Sequence, residues 1–257
     1  MSLSAFLLCQ RVVCSSLPDP PTLMPITLDQ RNRMTHKSLT QIYHQRSKET
    51  LRIWDEPAIA KAHSGFYPEN LKAIAAGIQP SLTPAVSTLL AELRDLVLDD
   101  PLADIMQPAH FHLTFLAITP SCYERRPQTE DIETLRQLAA AHELESVLTV
   151  RDLQLVALPN QLLIAGIVDE AASAKREAFW RALQHSNWAS LLRERYHGSE
   201  QPPTFWHSTL LRYHAAVLPE RLQQFFKARN NQRYGSISGT IKLRLVTYNW
   251  SETELLS

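Results

Sequence analysis

Two short stretches of this chain pair a histidine with a threonine two residues on: Phe111-His112-Leu113-Thr114-Phe115 and Trp206-His207-Ser208-Thr209-Leu210. Each reads as a β-strand with apolar residues before the His and after the Thr. Strand alternation puts His207, Thr209 and Leu211 on one face and Trp206, Ser208 and Leu210 on the other. A His and a Thr on one face reach one small ligand, and two such strands imply two imidazoles and two hydroxyls meeting across a cleft. Imidazole titrates near neutral pH, so one ring can act as a base while the other acts as an acid.

His-x-Ser/Thr occurs four times here, also as His36-Lys37-Ser38 and His197-Gly198-Ser199. The first opens a polar helix and the second lies in a hydrophilic loop, so neither has the apolar strand context. A lone strand histidine is most often a half-buried residue satisfied by a neighbour. Two in matching context, each followed by a helix and more strand, read as an internal repeat.

The elements around them follow from periodicity. Residues 1–35, with the breaker cluster Ser15-Ser16-Leu17-Pro18-Asp19-Pro20-Pro21, read as a disordered leader, within which Met24 or Met34 is a candidate start. Lys37 to Ile53 reads as a polar helix touching the rest through Leu39, Ile42, Tyr43 and Leu51. A short helix is expected near Glu69–Ala76. Thr83-Pro84 is a helix start, an N-cap followed by Pro, with Val86, Leu89, Leu90, Leu93 and Val97 at helical spacing behind it. His110–Ile118 reads as a strand, Thr129 onward as a helix, and Val147–Leu158 with Leu162–Val168 as a hairpin. A helical region from Glu170 to Tyr196, broken near Ser186-Asn187, leads to the His207 strand. Pro219-Glu220 starts a further helix with Leu222, Phe225 and Phe226 inward, and a last strand alternates Ile241, Leu243 and Leu245.

Composition sets bounds. The 257 residues carry 26 basic and 26 acidic side chains, so the whole is no electrostatic trap for long nucleic acid. Residues 1–150 hold 13 Lys/Arg against 17 Asp/Glu and residues 151–257 hold 13 against 9, a bias compatible with a local anion site. Cys9, Cys14 and Cys122 form no metal or disulfide framework, and no apolar run is long enough to span a bilayer. A cytoplasmic monomer is the expectation.

The twin stretches resemble the signatures of the 2H phosphoesterase superfamily, which includes the bacterial 2′-5′ RNA ligase-like and cyclic phosphodiesterase proteins. The second is the closer match, since the family often follows its Thr-Leu with an Arg, as at Arg212. The resemblance covers roughly Asp104 to Trp250. It implies an α+β, bilobal, pseudo-symmetric fold with two antiparallel sheets around a central cleft. Residues 101–257 would form that domain, and residues 36–100 a helical N-terminal extension. It implies a metal-independent phosphoesterase acting on a 2′,3′-cyclic phosphate or 2′-5′ linkage in a small nucleotide or an RNA terminus. His112 and His207 would be its catalytic residues, with Thr114 and Thr209 on the phosphate oxygens. Which histidine is acid and which base stays open.

Further contacts carry two readings each. Tyr213 shares the parity of His207 and could stack on a base or sit in the core or rim. Arg212 has the opposite parity, and reaches phosphate only through the twist of a strand end. His110 lies on the face of His112, but no third ligand suits a His110/His112 metal pair, so neither metal nor cofactor is expected. Arg125 and Arg126 read as solvated loop charges. Two further functions compete with the enzyme: a non-catalytic nucleotide- or RNA-binding module using the same cleft, and a protein-interaction subunit built on the N-terminal helices.

Overall fold

Thr83 caps its helix as the sequence indicates: its hydroxyl accepts from the Val86 N–H at 3.3 Å, and Val86, Leu89, Leu90 and Leu93 are buried behind it. The computed structural model describes residues 36–56 and 67–256, and the expected leader lies outside them. In chain order it has α1 (His36–Asp55), β1 (Ala73–Ile78), α2 (Pro84–Leu96), β2 (Ala103–Ile105), a 3-10 turn at Pro108–His110 and β3 (Leu113–Ala117). Next come α3 (Thr129–Ala141), β4 (Val147–Leu158), β5 (Gln161–Ile167), α4 (Glu170–Gln184) and α5 (Ala189–Arg195). The chain closes with β6 (His207–Tyr213), α6 (Glu220–Arg229), β7 (Ile237–Thr240), β8 (Lys242–Val246) and β9 (Thr253–Leu255).

The fold is α+β with two antiparallel sheets, one ordered β3-β1-β8-β9 and the other β2-β6-β5-β4-β7. Each His-x-Thr segment belongs to a different sheet. The chain passes between sheets repeatedly, among others from β2 to β3 and from β7 to β8, so the two sheets are tied by several connections. The β4–β5 hairpin closes with Leu158 opposite Gln161, as the Pro159-Asn160 turn requires.

Residues 36–100 are not a helical appendage. The segment expected as a helix near Glu69–Ala76 runs into β1, which pairs with β3 on one side and β8 on the other. Its Ala-rich sequence favours helix locally, but a strand buried on both faces shows no alternation, and sheet pairing overrides the weak propensity. Gly77 in β1 faces Thr114, and a Cβ there would come within 2.6 Å of the Leu113 carbonyl and 2.8 Å of the Trp250 ring. Only glycine allows that approach.

The polar helix α1 lies against the β4–β5 hairpin and bonds to its backbone. Thr50 donates to the Ala157 carbonyl at 2.8 Å, Trp54 to Pro159 at 2.9 Å and Tyr43 to Gly166 at 2.8 Å. Ser47 accepts from the Ala157 N–H at 3.2 Å. These bonds and the burial of Leu39, Tyr43 and Trp54 explain how a helix of low apolar content holds its place. No helix of the described residues is long and apolar enough to cross a membrane.

Candidate active site

The two His-x-Thr segments share an irregularity that strand alternation does not foresee. In β6, Thr209 stands opposite Leu163 and Leu211 opposite Leu162, which leaves Leu210 as an extra residue. In β3, Thr114 stands opposite Gly77 and Leu116 opposite Ala76, which leaves Phe115 extra. Each strand therefore bulges at the residue after its threonine. A bulge advances the alternation by one position, so the third residue beyond the Thr returns to the threonine's face. In β6 that residue is Arg212.

This corrects one of the sequence expectations and settles another. Arg212, expected on the far face, lies with the histidines: its positive charge pushes the pKa of both His112 and His207 down. Tyr213, which shares their parity by count and which the sequence leaves open between stacking on a base and a place in the core or rim, is buried, 7% exposed, where burial raises its pKa and Asp100 adds to the effect. Arg212 is itself 7% exposed, its guanidinium 3.5 Å from Asp104 and 5.2 Å from the centre of the Tyr248 ring. Asp104 is the residue of β2 directly opposite Arg212 and also bonds to the Tyr248 hydroxyl.

His110 requires a further correction. It does not lie in a strand but ends the 3-10 turn, one residue before Phe111. What it supplies is its carbonyl oxygen, 2.9 Å from Nδ1 of His112. His112 itself sits just before β3, and its ring lies flat against Trp250, with centroids 4.6 Å apart and planes within 5°. A carbonyl can only accept, so Nδ1 of His112 carries the proton and Nε2 keeps its lone pair. Trp250 adopts a left-handed backbone, φ 58°, which is uncommon for a bulky residue and holds the indole over the imidazole.

His207 opens β6 opposite Ala165, with the edge of Phe205 towards its ring at 6.0 Å. Its Nδ1 is buried without a hydrogen-bond partner. A buried N–H with no acceptor is costlier than an unused lone pair, so the neutral ring carries its proton on Nε2. Burial, with Arg212 and Arg176 adding to it, lowers the His207 pKa to about 4. Burial lowers that of His112 to about 3, against the opposing hydrogen bond to His110. Thr209 is buried and Thr114 half-buried, and no hydrogen bond holds either hydroxyl among the described residues. The described residues contain no group of three His, Cys, Asp or Glu placed to hold a metal ion. Of the remaining sequence candidates, Arg126 pairs with Glu254 on the surface at 2.5 Å.

Behind the two strands lies a buried cation that no sequence motif marks. Arg176 of α4 is 4% exposed, stacks on Trp206 at 3.3 Å from the ring centre, and donates only to carbonyls: Phe115 at 3.5 Å, Phe205 at 3.2 Å and Thr204 at 3.5 Å. Phe115 is the bulged residue of β3, and Thr204 and Phe205 lead into β6, so one guanidinium ties both histidine strands together. Replacing it with the apolar Met (Arg176→Met) is expected to raise the pKa of His207, because a positive charge is removed beside it. A proton-NMR titration of the imidazole checks this: an unchanged midpoint would mean that the cation is not sensed at the site.

Trp250, Tyr248 and Asp104 likewise carried no motif. The single available signal was Trp250, a tryptophan in the polar run Asn249-Trp250-Ser251, where a large apolar ring needs a reason to be.

No family model matches the chain, and no curated protein matches it in sequence. Among solved structures it is similar to TT0787 of Thermus thermophilus, at 17% identity over 72% of this chain and 95% of that one, with a TM-score of 0.46. It is similar to a phosphoesterase at 14% identity over 71% and 93%, TM-score 0.41. It is also similar to E. coli LigT complexed with 3′-AMP, at 14% identity over 72% and 93%, TM-score 0.41.

Proposed function

We propose that this chain is a metal-independent phosphoesterase of the 2H type, hydrolysing a 2′,3′-cyclic phosphate or 2′-5′ linkage in an RNA end or small nucleotide. The observation that carries the reading is the matched bulge in two His-x-Thr strands, which gathers two imidazoles, two unengaged hydroxyls and one guanidinium.

The His110 carbonyl on Nδ1 favours His112 as the base, and His207 takes the acid role by elimination. His112, with Nδ1–H held by the His110 carbonyl, offers the bare Nε2 lone pair of a general base. It takes a proton from water as the water oxygen bonds to phosphorus, and the same carbonyl then stabilises the imidazolium. His207 delivers a proton from Nε2 to the ribose oxygen as its bond to phosphorus breaks. For that it must be cationic beforehand, and the negative charge of a bound phosphate raises its pKa toward that state. Thr114 and Thr209 donate to the non-bridging oxygens, which gain charge in the transition state. Arg212 lies on the same face as a fixed counter-charge. Water in, one P–O bond made and one broken, and a proton passed at each end complete the balance.

The lowered pKa of His207 favours one competing reading, a non-catalytic nucleotide- or RNA-binding module. Without phosphate its ring is neutral at pH 7 and cannot act as an acid. Both readings are separated by offering purified protein a panel of 2′,3′-cyclic mononucleotides and a short RNA ending in a cyclic phosphate, all in EDTA. The expected result is turnover that the His112→Ala/His207→Ala double variant lacks. Binding without turnover by the wild type would favour the module. A large loss on chelation would overturn the metal-independent chemistry.

A further inference from the structure

The ladder between β5 and β6 is opened by a side chain at the rung next to His207. His207 stands opposite Ala165, so the adjoining rung joins Gly166 and Trp206. A hydrogen-bonded antiparallel pair exchanges two backbone bonds. One is made: the Gly166 N–H donates to the Trp206 carbonyl at 3.0 Å. The other runs through the hydroxyl of Tyr43 in α1, which accepts from the Trp206 N–H at 3.2 Å and donates to the Gly166 carbonyl at 2.8 Å.

Tyr43 is 1% exposed, and burial pushes its pKa up to about 12, so the group stays a neutral hydroxyl that accepts and donates at once. A direct rung brings nitrogen and oxygen to about 2.9 Å, and an oxygen set between them holds the two strands further apart. A second contact runs through rings. Tyr43 meets Phe205 edge-on, with centroids 5.0 Å apart, and Phe205 meets His207 edge-on at 6.0 Å. The imidazole is thus reached from α1 by two routes, the Trp206 backbone and the Phe205 ring. Docking α1 does not require this. Thr50, on the same helix and equally buried, bonds to the Ala157 carbonyl of β4 at 2.8 Å and touches no part of β6 through that bond.

We propose that Tyr43 is a positioning residue for His207: its hydroxyl holds the Gly166–Trp206 rung open and so fixes where the imidazole stands at the start of β6. The consequence for turnover rests on the phosphoesterase reading, whereas the effect on the ring itself does not.

The experiment compares Tyr43→Phe with Thr50→Val in the full chain, by proton NMR of the imidazoles and by steady-state rates on a 2′,3′-cyclic mononucleotide. In Tyr43→Phe the rung can close, and the His207 ring resonances are expected to move while those of His112 stay. Its kcat is expected to fall about tenfold, part of the 10²-fold that a misplacement of about 1 Å costs, with KM little changed. Thr50→Val loses a buried hydroxyl bond from the same helix. It is expected to lower the urea midpoint, as Tyr43→Phe does, yet to leave both imidazoles and kcat as in the wild type. Unmoved His207 resonances in folded Tyr43→Phe, or an equal movement in Thr50→Val, would overturn the positioning role. If Tyr43→Phe does not fold, Phe205→Leu takes its place, since it removes the ring between Tyr43 and His207 and keeps the hydroxyl bridge; unmoved His207 resonances there would overturn the role as well. Movement of His207 in a protein whose wild type hydrolyses no cyclic phosphate would keep the positioning role and lose the enzyme. Turnover that needs both histidines but is indifferent to Tyr43→Phe would do the reverse.

Discussion

His207→Ala is expected to lower turnover of a 2′,3′-cyclic phosphate by about 10²–10⁴-fold, the usual worth of one positioned proton donor or acceptor. His112→Ala is expected to do the same. The two act on opposite ends of one displacement, so the double variant should be hardly slower than either single one. The physical case rests on position. Each ring stands at the start of a strand that bulges after its threonine, and Arg212 is turned toward both. Steady-state rates on a cyclic mononucleotide, with near-ultraviolet circular dichroism to verify that the Trp250 environment survives, provide the check. Turnover within a factor of a few of wild type in either single variant would sink the two-histidine mechanism.

The second large effect is on pH. An ordinary imidazole has a pKa near 6.5, and those of His112 and His207 are lowered to about 3 and about 4, chiefly by burial. As pH falls below about 6.5, the unfolded chain takes up two protons that the folded chain refuses until about pH 4 and below. The unfolded state then binds more protons, and stability falls with pH through that window. A tenfold difference in proton affinity between the folded and unfolded chain is worth about 1.4 kcal/mol. The combined loss is then on the order of a few kcal/mol, once the partial exposure of His207 is discounted. Urea midpoints at pH 7.5 and 4.5 are expected to differ markedly in the wild type and much less in the His112→Leu/His207→Leu variant. An equal dependence in both would remove the histidines as its cause. The same lowered affinities move the activity profile. The bell in kcat/KM, which reports the free protein, is expected on the acid side of neutrality. That in kcat should lie nearer neutral, since bound phosphate favours the charged rings.

Much of this molecule is written in local pattern. Thr83-Pro84 starts a helix wherever it stands, because the cap and the fixed φ are properties of two neighbouring residues. The Pro159-Asn160 turn closes its hairpin for the same reason, and the break near Ser186-Asn187 does separate α4 from α5. The two histidines and two threonines were also legible, since residue type and apolar flanks are enough to single them out.

What surrounds them was not. The helix expected near Glu69–Ala76 is a central strand because β3 and β8 are there to pair with it, and no propensity of a few alanine-rich residues competes with two ladders. Arg212 came to the face of the histidines through a bulge, which depends on what lies opposite. A parity count made along one strand has no access to its partner's register. Trp250, Arg176 and Asp104 reach the two histidine segments from distant points of the sequence, through a turn, a helix and an edge strand. The sequence alone thus singled out the candidate groups. The tertiary structure decided which of them share a face, in which tautomer and beside which charge, because register, burial and desolvation are properties of pairs of segments and not of either one.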